Sequence, residues 1–327
     1  MKIIKPRVGM FLKTLSLTML CSASISAMAD YPERPIKMIV AYGAGGGTDI
    51  AARTLAPYIE KYMGENVSIV IENKPGAGGE IGFTQLANSS PDGYTIGFVN
   101  TPNLITIPIQ RKARYSLADF TPIGNVVDDP GAFSVSINSP IKSLGDLVSY
   151  ANKNPGKLTY GTTGIGGDDH LAALAFEKQT NIKMKHIPFK GSADVRTAAL
   201  GEHIDLANMN MSEAIADGQE GNLLILGQMG ESRWSEAPNV PTFMEQGYDV
   251  VSGSMRGLAA PAGLPSDIQK RLEKALEQAV SDPEFVAKAK EQNLPLSYMN
   301  SNDFGATLQR LHDTYNAIWT AEPWIKG

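Results

Sequence analysis

The sequence predicts an α/β protein whose two lobes face each other across a ligand cleft. The chain has 327 residues, of which 43% are hydrophobic. That is enough for two cores, because single cores stop growing at about 250 to 300 residues. Strands alternate with helices in two similar units, and in each unit a glycine-rich loop leads from a strand into a helix. This alternation predicts parallel sheets that are covered by helices.

The first unit begins with an apolar strand at 36–40, followed by a glycine-rich loop and a helix predicted over 48–63. We expect Thr48 or Asp49 to cap this helix, and Pro57 to kink or shorten it. The other predicted elements of this unit are a strand at 67–71, a helix at 79–87 and a strand at 94–99.

The second unit repeats this order around the loop 161–167, which follows a strand at 158–160 and leads into a helix predicted over 170–180. Its other elements are strands at 133–137, 185–189 and 204–209 and helices at 143–152 and 192–200. The C-terminal part is predicted to be extended at 250–258 and helical over 266–280, 283–292 and 301–319. The predicted domains are a signal peptide at 1–29, lobe 1 at 30–128 plus 251–327, and lobe 2 at 129–250.

The N-terminus has the pattern of a secretory signal peptide. Basic residues precede an apolar stretch at 14–25, and Ala27-Met28-Ala29 matches the small-x-small cleavage pattern. We therefore expect cleavage after Ala29 and an exported mature chain that begins at Asp30. The basic residues are Lys2, Lys5, Arg7 and Lys13.

Charge and composition exclude several classes of function. The net charge is −5, and removal of the signal-peptide cations makes it more negative, which disfavours nucleic acid and anionic membranes as partners. Cys21 is the only cysteine and lies in the signal peptide, so the mature chain has no disulfide or thiolate site. The four histidines show no His-x-x-x-His pair, and Gly-x-Ser-x-Gly does not occur. We predict a binding protein without cofactor or metal rather than an enzyme.

The glycine-rich loops predict the chemistry of the ligand. Each loop leaves backbone N–H groups free at the start of a helix, where the helix dipole also favours negative charge. Ligands of open α/β sheets lie beyond the carboxyl ends of the strands. Two such helix starts facing each other predict a small organic anion, such as a dicarboxylate.

Several motifs resemble the substrate-binding proteins of tripartite tricarboxylate transporters, the Bug family. The resemblance covers essentially the whole mature chain. It implies a type II periplasmic-binding-protein fold, a periplasmic location, a carboxylated ligand and delivery of that ligand to two membrane subunits; we expect a monomer. The motifs are Gly45-Gly46-Gly47-Thr48-Asp49, the runs 72–79, 91–95 and 154–158, His170-Leu171, and the runs 188–191, 237–242 and 258–263.

The resemblance implies ligand-binding residues in both lobes. Those of lobe 1 are Tyr42, Gly43, Gly45, Gly46, Gly47, Thr48, Asp49, Ala77, Gly78, Asn100, Thr101 and Arg256. Those of lobe 2 are Thr162, Thr163, Gly166, Gly167, Asp168, Lys190, Asn208 and Asn210.

Three features depart from the family pattern. Tyr42-Gly43-Ala44 replaces the usual aromatic-Pro-Pro, Asp168-Asp169 replaces small hydroxyl residues, and Arg256 replaces an aromatic residue. Asp168 and Arg256 either form an ion pair across the lobes, or Arg256 binds a ligand carboxylate while Asp168 faces an amino or hydroxyl group. Asp168 and Asp169 could instead only cap their helix.

Three alternatives stay open at this stage. Gly43-x-Gly45 with Glu72 resembles part of a dinucleotide-binding fingerprint, although Thr48 stands at the third glycine position. A secreted hydrolase could use Asp168 or Asp169 as a base. The extracytoplasmic module of a sensor would share the fold and differ only in its partner.

Overall fold

The computed structural model describes residues 1–2 and 31–325. The predicted cleavage site after Ala29 and the predicted start at Asp30 lie outside the described residues. The strands are β1 (Ile36–Val40), β2 (Ile69–Asn73), β3 (Thr95–Asn100), β4 (Phe120–Ser136), β5 (Thr159–Thr162), β6 (Lys185–Pro188), β7 (Leu206–Asn210), β8 (Leu223–Gln228), β9 (Gly253–Pro261) and β10 (Leu296–Asn300).

Helices cover the sheet and alternate with the strands through most of the chain. They are α1 (Gly47–Met63), α2 (Glu80–Ala87), α3 (Asn103–Gln110), α4 (Leu144–Lys153), α5 (Asp168–Thr180), α6 (Ser192–Leu200), α7 (Met211–Glu220), α8 (Ser266–Ser281), α9 (Pro283–Glu291) and α10 (Ser301–Ala321). Short 3₁₀ turns occur at Ala77–Gly79, Leu117–Asp119 and Met244–Gln246.

The strands form two groups that are joined by β4. In the first group β1 pairs in parallel with β2 and β3, and in the second group β5 pairs in parallel with β6 and β7. The order along the main path is β2-β1-β3-β9-β4-β7-β5-β6, with β8 and β10 also paired to β4. The predicted α/β class with parallel strands is therefore confirmed.

The long strand β4 passes from one group into the other. Residues 120–130 of β4 run antiparallel to β9, whereas residues 131–136 pair with β7 and β8. Strand β9 also pairs with β3, so that Arg256 lies opposite Asn100 on one side and Val127 on the other. The junction of the two groups thus runs directly beside Arg256.

Most predicted elements occur within a few residues of their expected bounds. The sequence predicted only 133–137 of β4, and it did not predict α3, α7, β8 or β10. In β4, Pro122 and the run Asp128-Asp129-Pro130-Gly131 have the composition of turns, but both belong to the strand. The pairing with β9 shifts register after Pro122 and after Asn125 and is regular from Asp128 to Pro130. Helix α1 continues through Pro57 to Met63, so the proline does not shorten it.

Each strand group has its own hydrophobic core. In the first group Met38 of β1 packs with Leu55 of α1 and Leu276 of α8. In the second group Phe133 lies edge-to-face against Phe243 at 5.1 Å and against Phe176 at 5.4 Å between ring centroids. Burial of each such side chain stabilises the fold by about 1.5 to 3 kcal/mol. The two cores hold the strand ends and helix starts in fixed positions around the junction.

Candidate functional site

Helix α1 begins at the junction between the two strand groups. Gly46 is its extended N-cap residue, and Gly47 is the first residue of the helix. Asp49 was predicted to cap this helix, but it does not. Its carboxylate accepts a hydrogen bond from the Gly45 amide at 2.9 Å and forms an ion pair with Arg53 at 3.0 Å. Burial alone would raise the pKa of Asp49. Hydrogen bonds from Arg53, Gly45 and Asn73 together outweigh the effect of burial, so the pKa lies below its usual value.

Helix α5 begins on the other side of the junction, where Gly167 is its extended N-cap residue. Asp168 and Asp169 are buried in its first turn. The ring of His170 stacks on His186 with 4.4 Å between centroids, and its Nδ1 accepts a hydrogen bond from the Gly166 amide at 3.1 Å. Burial lowers the pKa of His170 to about 3 and that of His186 to about 4. Both rings are therefore neutral near pH 7.

The start of α7 supplies two further polar groups. Asn210 and Glu213 form a reciprocal capping box, in which the Glu213 carboxylate accepts a hydrogen bond from the Asn210 amide at 3.1 Å. The Asn210 side chain donates to Asp168 at 2.8 Å and to the backbone carbonyl of Asp129 at 3.0 Å. Asn210 thus connects α7, α5 and β4.

Arg256 of β9 is only 1% exposed and is the hub of a charged network. Its guanidinium lies 2.8 Å from the Asp129 carboxylate and 3.2 Å from that of Glu213, and it donates to Asn210 Oδ1 at 2.9 Å. Arg256 and Asp168 are joined through Asn210 rather than by a direct ion pair. A direct ion pair between Arg256 and Asp168 was one of the two hypotheses from the sequence, and the structure, which describes both residues, does not contain it.

Glu213 makes the contact that a ligand carboxylate was expected to make. One of its oxygens accepts a hydrogen bond from the Gly47 amide at 3.1 Å and lies 3.2 Å from Arg256. Glu213 belongs to the second strand group, while Gly47 and Arg256 belong to the first. An internal carboxylate therefore bridges the junction at the N-terminus of α1.

These groups enclose a cavity of about 20 Å³, room for roughly one water molecule. The sequence predicted most of its polar lining but not Ser192, Glu213 or Ser254. Predicted site residues that line the cavity are Tyr42, Gly46, Gly47, Thr48, Asn100, Thr163, Asp168, Asn210 and Arg256. Asn103, the first residue of α3, completes the lining.

The remaining predicted residues lie next to the cavity or farther away. Several support its wall: the Thr162 hydroxyl contacts His186 at 2.6 Å, Thr101 accepts from the Met255 amide, and the Asn208 side chain donates to the Asp169 carbonyl. Lys190 is exposed and lines a separate groove with Ala77 and Gly78. Outside the lining of the cavity are Gly43, Gly45, Asp49, Ala77, Gly78, Thr101, Thr162, Gly166, Gly167, Lys190 and Asn208.

Burial strongly affects the carboxyl groups around the cavity. It raises the pKa of Asp168 to about 6, although Asn210 and Arg256 favour the charged form. The pKa of Asp169 is raised further, by burial and by the neighbouring Asp168. Burial also raises the pKa of Asp129 to about 6 against the attraction of Arg256. The cavity therefore combines hydrogen-bond acceptors, one guanidinium and the amides of a helix start, a set suited to binding a polar small molecule.

Glu72 contacts two lysines. In the dinucleotide-binding alternative, this residue would bind the ribose of the cofactor. Its carboxylate lies 3.0 Å from Lys37 and 3.3 Å from Lys74, and hydrogen bonding to Lys37 is the main cause of its lowered pKa. Among residues 1–2 and 31–325, no helix has both the length and the apolar character needed to cross a membrane.

Comparisons with known proteins agree with this architecture. The family model described as "Tripartite tricarboxylate transporter family receptor" matches residues 51–319. A relative from Cupriavidus necator, "UPF0065 protein in gbd 5'region", is 34% identical over 303 residues, which cover 91% of this chain and 90% of the relative.

Two solved structures share the fold over nearly their whole length. The periplasmic binding protein BugD is 30% identical with a TM-score of 0.84, and the R. palustris protein Rpa4515, solved with adipate, is 25% identical with a TM-score of 0.83. Each match covers 89% of this chain and 98% of the other. The fold and the family resemblance predicted from the sequence are confirmed. The chain belongs to the tripartite tricarboxylate transporter receptor family and is a periplasmic solute-binding protein of the TctC and Bug type.

Proposed function

We propose that this protein captures a small organic carboxylate at the start of α1 and delivers it to the membrane subunits of a tripartite tricarboxylate-type transporter. The position of Glu213 carries this proposal, because its carboxylate already lies on the Gly47 amide and on Arg256. A site that holds one carboxylate through a helix start and a guanidinium has the groups to hold another. The adipate in Rpa4515 is a ligand of the same chemical class.

The cavity of about 20 Å³ is too small for a dicarboxylate, so the binding of a whole ligand requires movement. We propose that the two strand groups act as lobes with bounds at 30–128 plus 251–327 and at 129–250. The backbones of the two proposed lobes also approach each other at two places outside the cavity lining: an added Cβ on Gly164 would lie 2.9 Å from Cα of Gly78, and one on Gly191 would lie 3.2 Å from the Gly43 amide. Separation of the lobes opens both contacts, and a ligand carboxylate then takes the position of Glu213.

Calorimetry with succinate, glutarate and adipate tests the carboxylate site, with the corresponding diamides as uncharged controls. We expect at least one diacid to bind and its diamide to bind at least tenfold more weakly, because the diamide carries no negative charge for the guanidinium and the helix dipole. Equal affinity of diacid and diamide would contradict the proposal. Analysis of the ligand after incubation tests whether it is bound without being consumed, as expected for a carrier rather than an enzyme.

We also propose export with cleavage after Ala29 and function as a monomer. The basic and apolar pattern of the first residues supports the cleavage, and the periplasmic location of the family supports the export. Intact mass spectrometry of the protein expressed with its own leader should give a chain that begins at Asp30. Light scattering of that mature protein measures its oligomeric state.

A further inference from the structure

The cavity contains more negative than positive groups. The carboxyl groups of Asp129, Asp168, Asp169 and Glu213 all lie in the electrostatic field of Arg256. Arg256 is also the only basic side chain among the described residues that line the cavity. A plain dicarboxylate would bring two further negative charges into this buried region. Such a ligand would increase the imbalance, at a high cost in desolvation.

Arg256 has little capacity left to balance that charge. Its terminal nitrogens already contact Asp129, Asn210 and Glu213, and only its buried Nε has no hydrogen-bond partner. If a ligand carboxylate displaces Glu213, Arg256 exchanges one carboxylate for another. The charge on Asp168 then remains without a cationic partner of its own.

Asn100 provides an independent indication of what the ligand carries. This residue is only 4% exposed and lines the cavity. Its amide nitrogen donates to the Thr48 hydroxyl at 2.7 Å, whereas its Oδ1 is buried without a hydrogen-bond partner. A buried acceptor without a partner is unfavourable, so a ligand that donates a hydrogen bond to it gains affinity.

We propose that the ligand is an amino acid, with a protonated amino group that lies between Asp168 and Asn100 Oδ1 and a carboxylate that replaces Glu213 at Gly47 and Arg256. This inference rests on the proposed carboxylate site and specifies its ligand class. An ammonium group has three donors and no acceptor, which matches a carboxylate and an amide oxygen. It also neutralises one of the excess buried charges.

The raised pKa of Asp168, about 6, agrees with this assignment. Burial raises it because no full cationic partner compensates the charged form. An ammonium beside Asp168 would favour its ionised form, so the amino acid should release protons on binding near pH 6. No group of three or more His, Cys, Asp or Glu spaced to hold a metal ion occurs in the described part of the chain.

The experiment compares ligands that differ only at C2, in one set of three and two pairs: succinate with malate and aspartate, glutarate with glutamate, and adipate with 2-aminoadipate. Calorimetry at pH 7.5 is run on the wild type and on Asp168→Asn, which keeps the shape of the side chain and removes its charge. We expect one amino acid to bind at least tenfold more tightly than its plain diacid. In Asp168→Asn the amino acid should lose this advantage, because its ammonium loses the facing charge while the plain diacid is freed of repulsion and gains affinity.

The outcomes separate the two proposals. If a plain diacid binds as tightly as its amino analogue, the inference about the amino group is wrong and the carboxylate site stands. If malate equals aspartate in affinity, a neutral hydroxyl suffices and the charge argument is wrong. If neither the acids nor the amino acids bind, the carboxylate site itself is rejected, and the amino-group inference with it. Retention of the amino preference in Asp168→Asn would assign the preference to another residue.

Discussion

Arg256 and Asp129 face each other across the pairing of β9 with β4, with 2.8 Å between the guanidinium and the carboxylate. Their side chains are 2% and 0% exposed, so neither charge is solvated by bulk water. Such a pair contributes little net stability relative to an apolar pair, but each partner makes the burial of the other tolerable. The pair also connects the strand that joins the two groups to the cavity.

Replacement of Arg256 by Met should therefore destabilise the protein by about 3 to 5 kcal/mol, because the buried Asp129 loses its counter-charge. Urea unfolding of the mature protein measures this change. The double variant Arg256→Met with Asp129→Asn should recover part of the loss, because the uncompensated charge is removed. A loss below about 1 kcal/mol in Arg256→Met would mean that Asp129 is protonated or solvated.

Asp168 should make stability depend on pH. Its pKa is raised from 3.8 to about 6 in the folded state, mainly by burial, with Asn210 and Arg256 opposing and Glu213 reinforcing the shift. Asp169, Tyr42 and Tyr315 also face it. The folded state thus binds this proton more tightly than the unfolded state does. The resulting stabilisation is fully present below about pH 3.8 and is lost as the pH rises through about 6.

Asp168→Asn should consequently be more stable than the wild type at pH 7.5, by about 2 to 3 kcal/mol, and the difference should shrink towards pH 4.5. Urea unfolding at both pH values measures this difference. The exposed Asp313 provides the control, because Asp313→Asn should follow the wild type at both pH values. A constant difference between Asp168→Asn and the wild type would show that Asp168 does not titrate in this range.

Gly47→Ala tests the carboxylate position at the start of α1. A Cβ on this residue would lie 2.5 Å from Glu213 Oε1 and 2.7 Å from an Arg256 nitrogen, so it would occupy the position of the bound carboxylate. We expect the affinity for the best diacid to fall more than tenfold, and the free energy of unfolding in urea to fall by about 1 to 3 kcal/mol, because the buried Arg256 and Glu213 must shift to make room. Gly145→Ala is the matched control, because its Cβ would meet only Ser143 Oγ at 3.7 Å. Unchanged diacid affinity in a folded Gly47→Ala would remove this position from the proposal.

The sequence predicted the start of α1 but not its partner across the junction. The glycine run after β1 and the helix that follows are local patterns, and the free amides at a helix start follow from them. Glu213 could have been placed at the start of a helix, because Asn210-x-x-Glu213 has the spacing of a capping box. Its contact with Gly47 joins residues 166 positions apart, and no local pattern encodes such a distance.

The sequence also did not predict that Asp129 is the partner of Arg256, because this contact too depends on tertiary structure. Asp129 lies in the run Asp128-Asp129-Pro130-Gly131, whose composition is typical of a turn, and the sequence predicted a lobe boundary there. In the structure this run continues β4, because pairing with β9 on one side determines its conformation. Tertiary pairing overrides local propensity in strands more readily than in helices. The charged network could therefore not be assembled before the strand order was known.

The final prediction concerns Glu213 as an internal competitor of the ligand. In the proposed two-lobe arrangement, its contacts with Gly47 and Arg256 would hold the lobes together in the absence of a ligand carboxylate. Glu213→Gln keeps the capping interaction with the Asn210 amide, because glutamine also serves in a capping box, but it loses the charge that faces the guanidinium. Small-angle scattering should therefore give a larger radius of gyration for free Glu213→Gln than for the free wild type.

Removal of the competitor should also raise the affinity for the best diacid by about five- to tenfold, which corresponds to about 1.0 to 1.4 kcal/mol, the net contribution of roughly one ordinary hydrogen bond. Addition of that diacid should return Glu213→Gln to the radius of the liganded wild type, because the ligand carboxylate restores the bridge between the lobes. Glu213→Ala separates the two roles, since it loses the capping interaction as well and should show the same gain in affinity with lower stability. If Glu213→Gln binds the diacid more weakly than the wild type does, Glu213 contacts the ligand directly and is not its competitor.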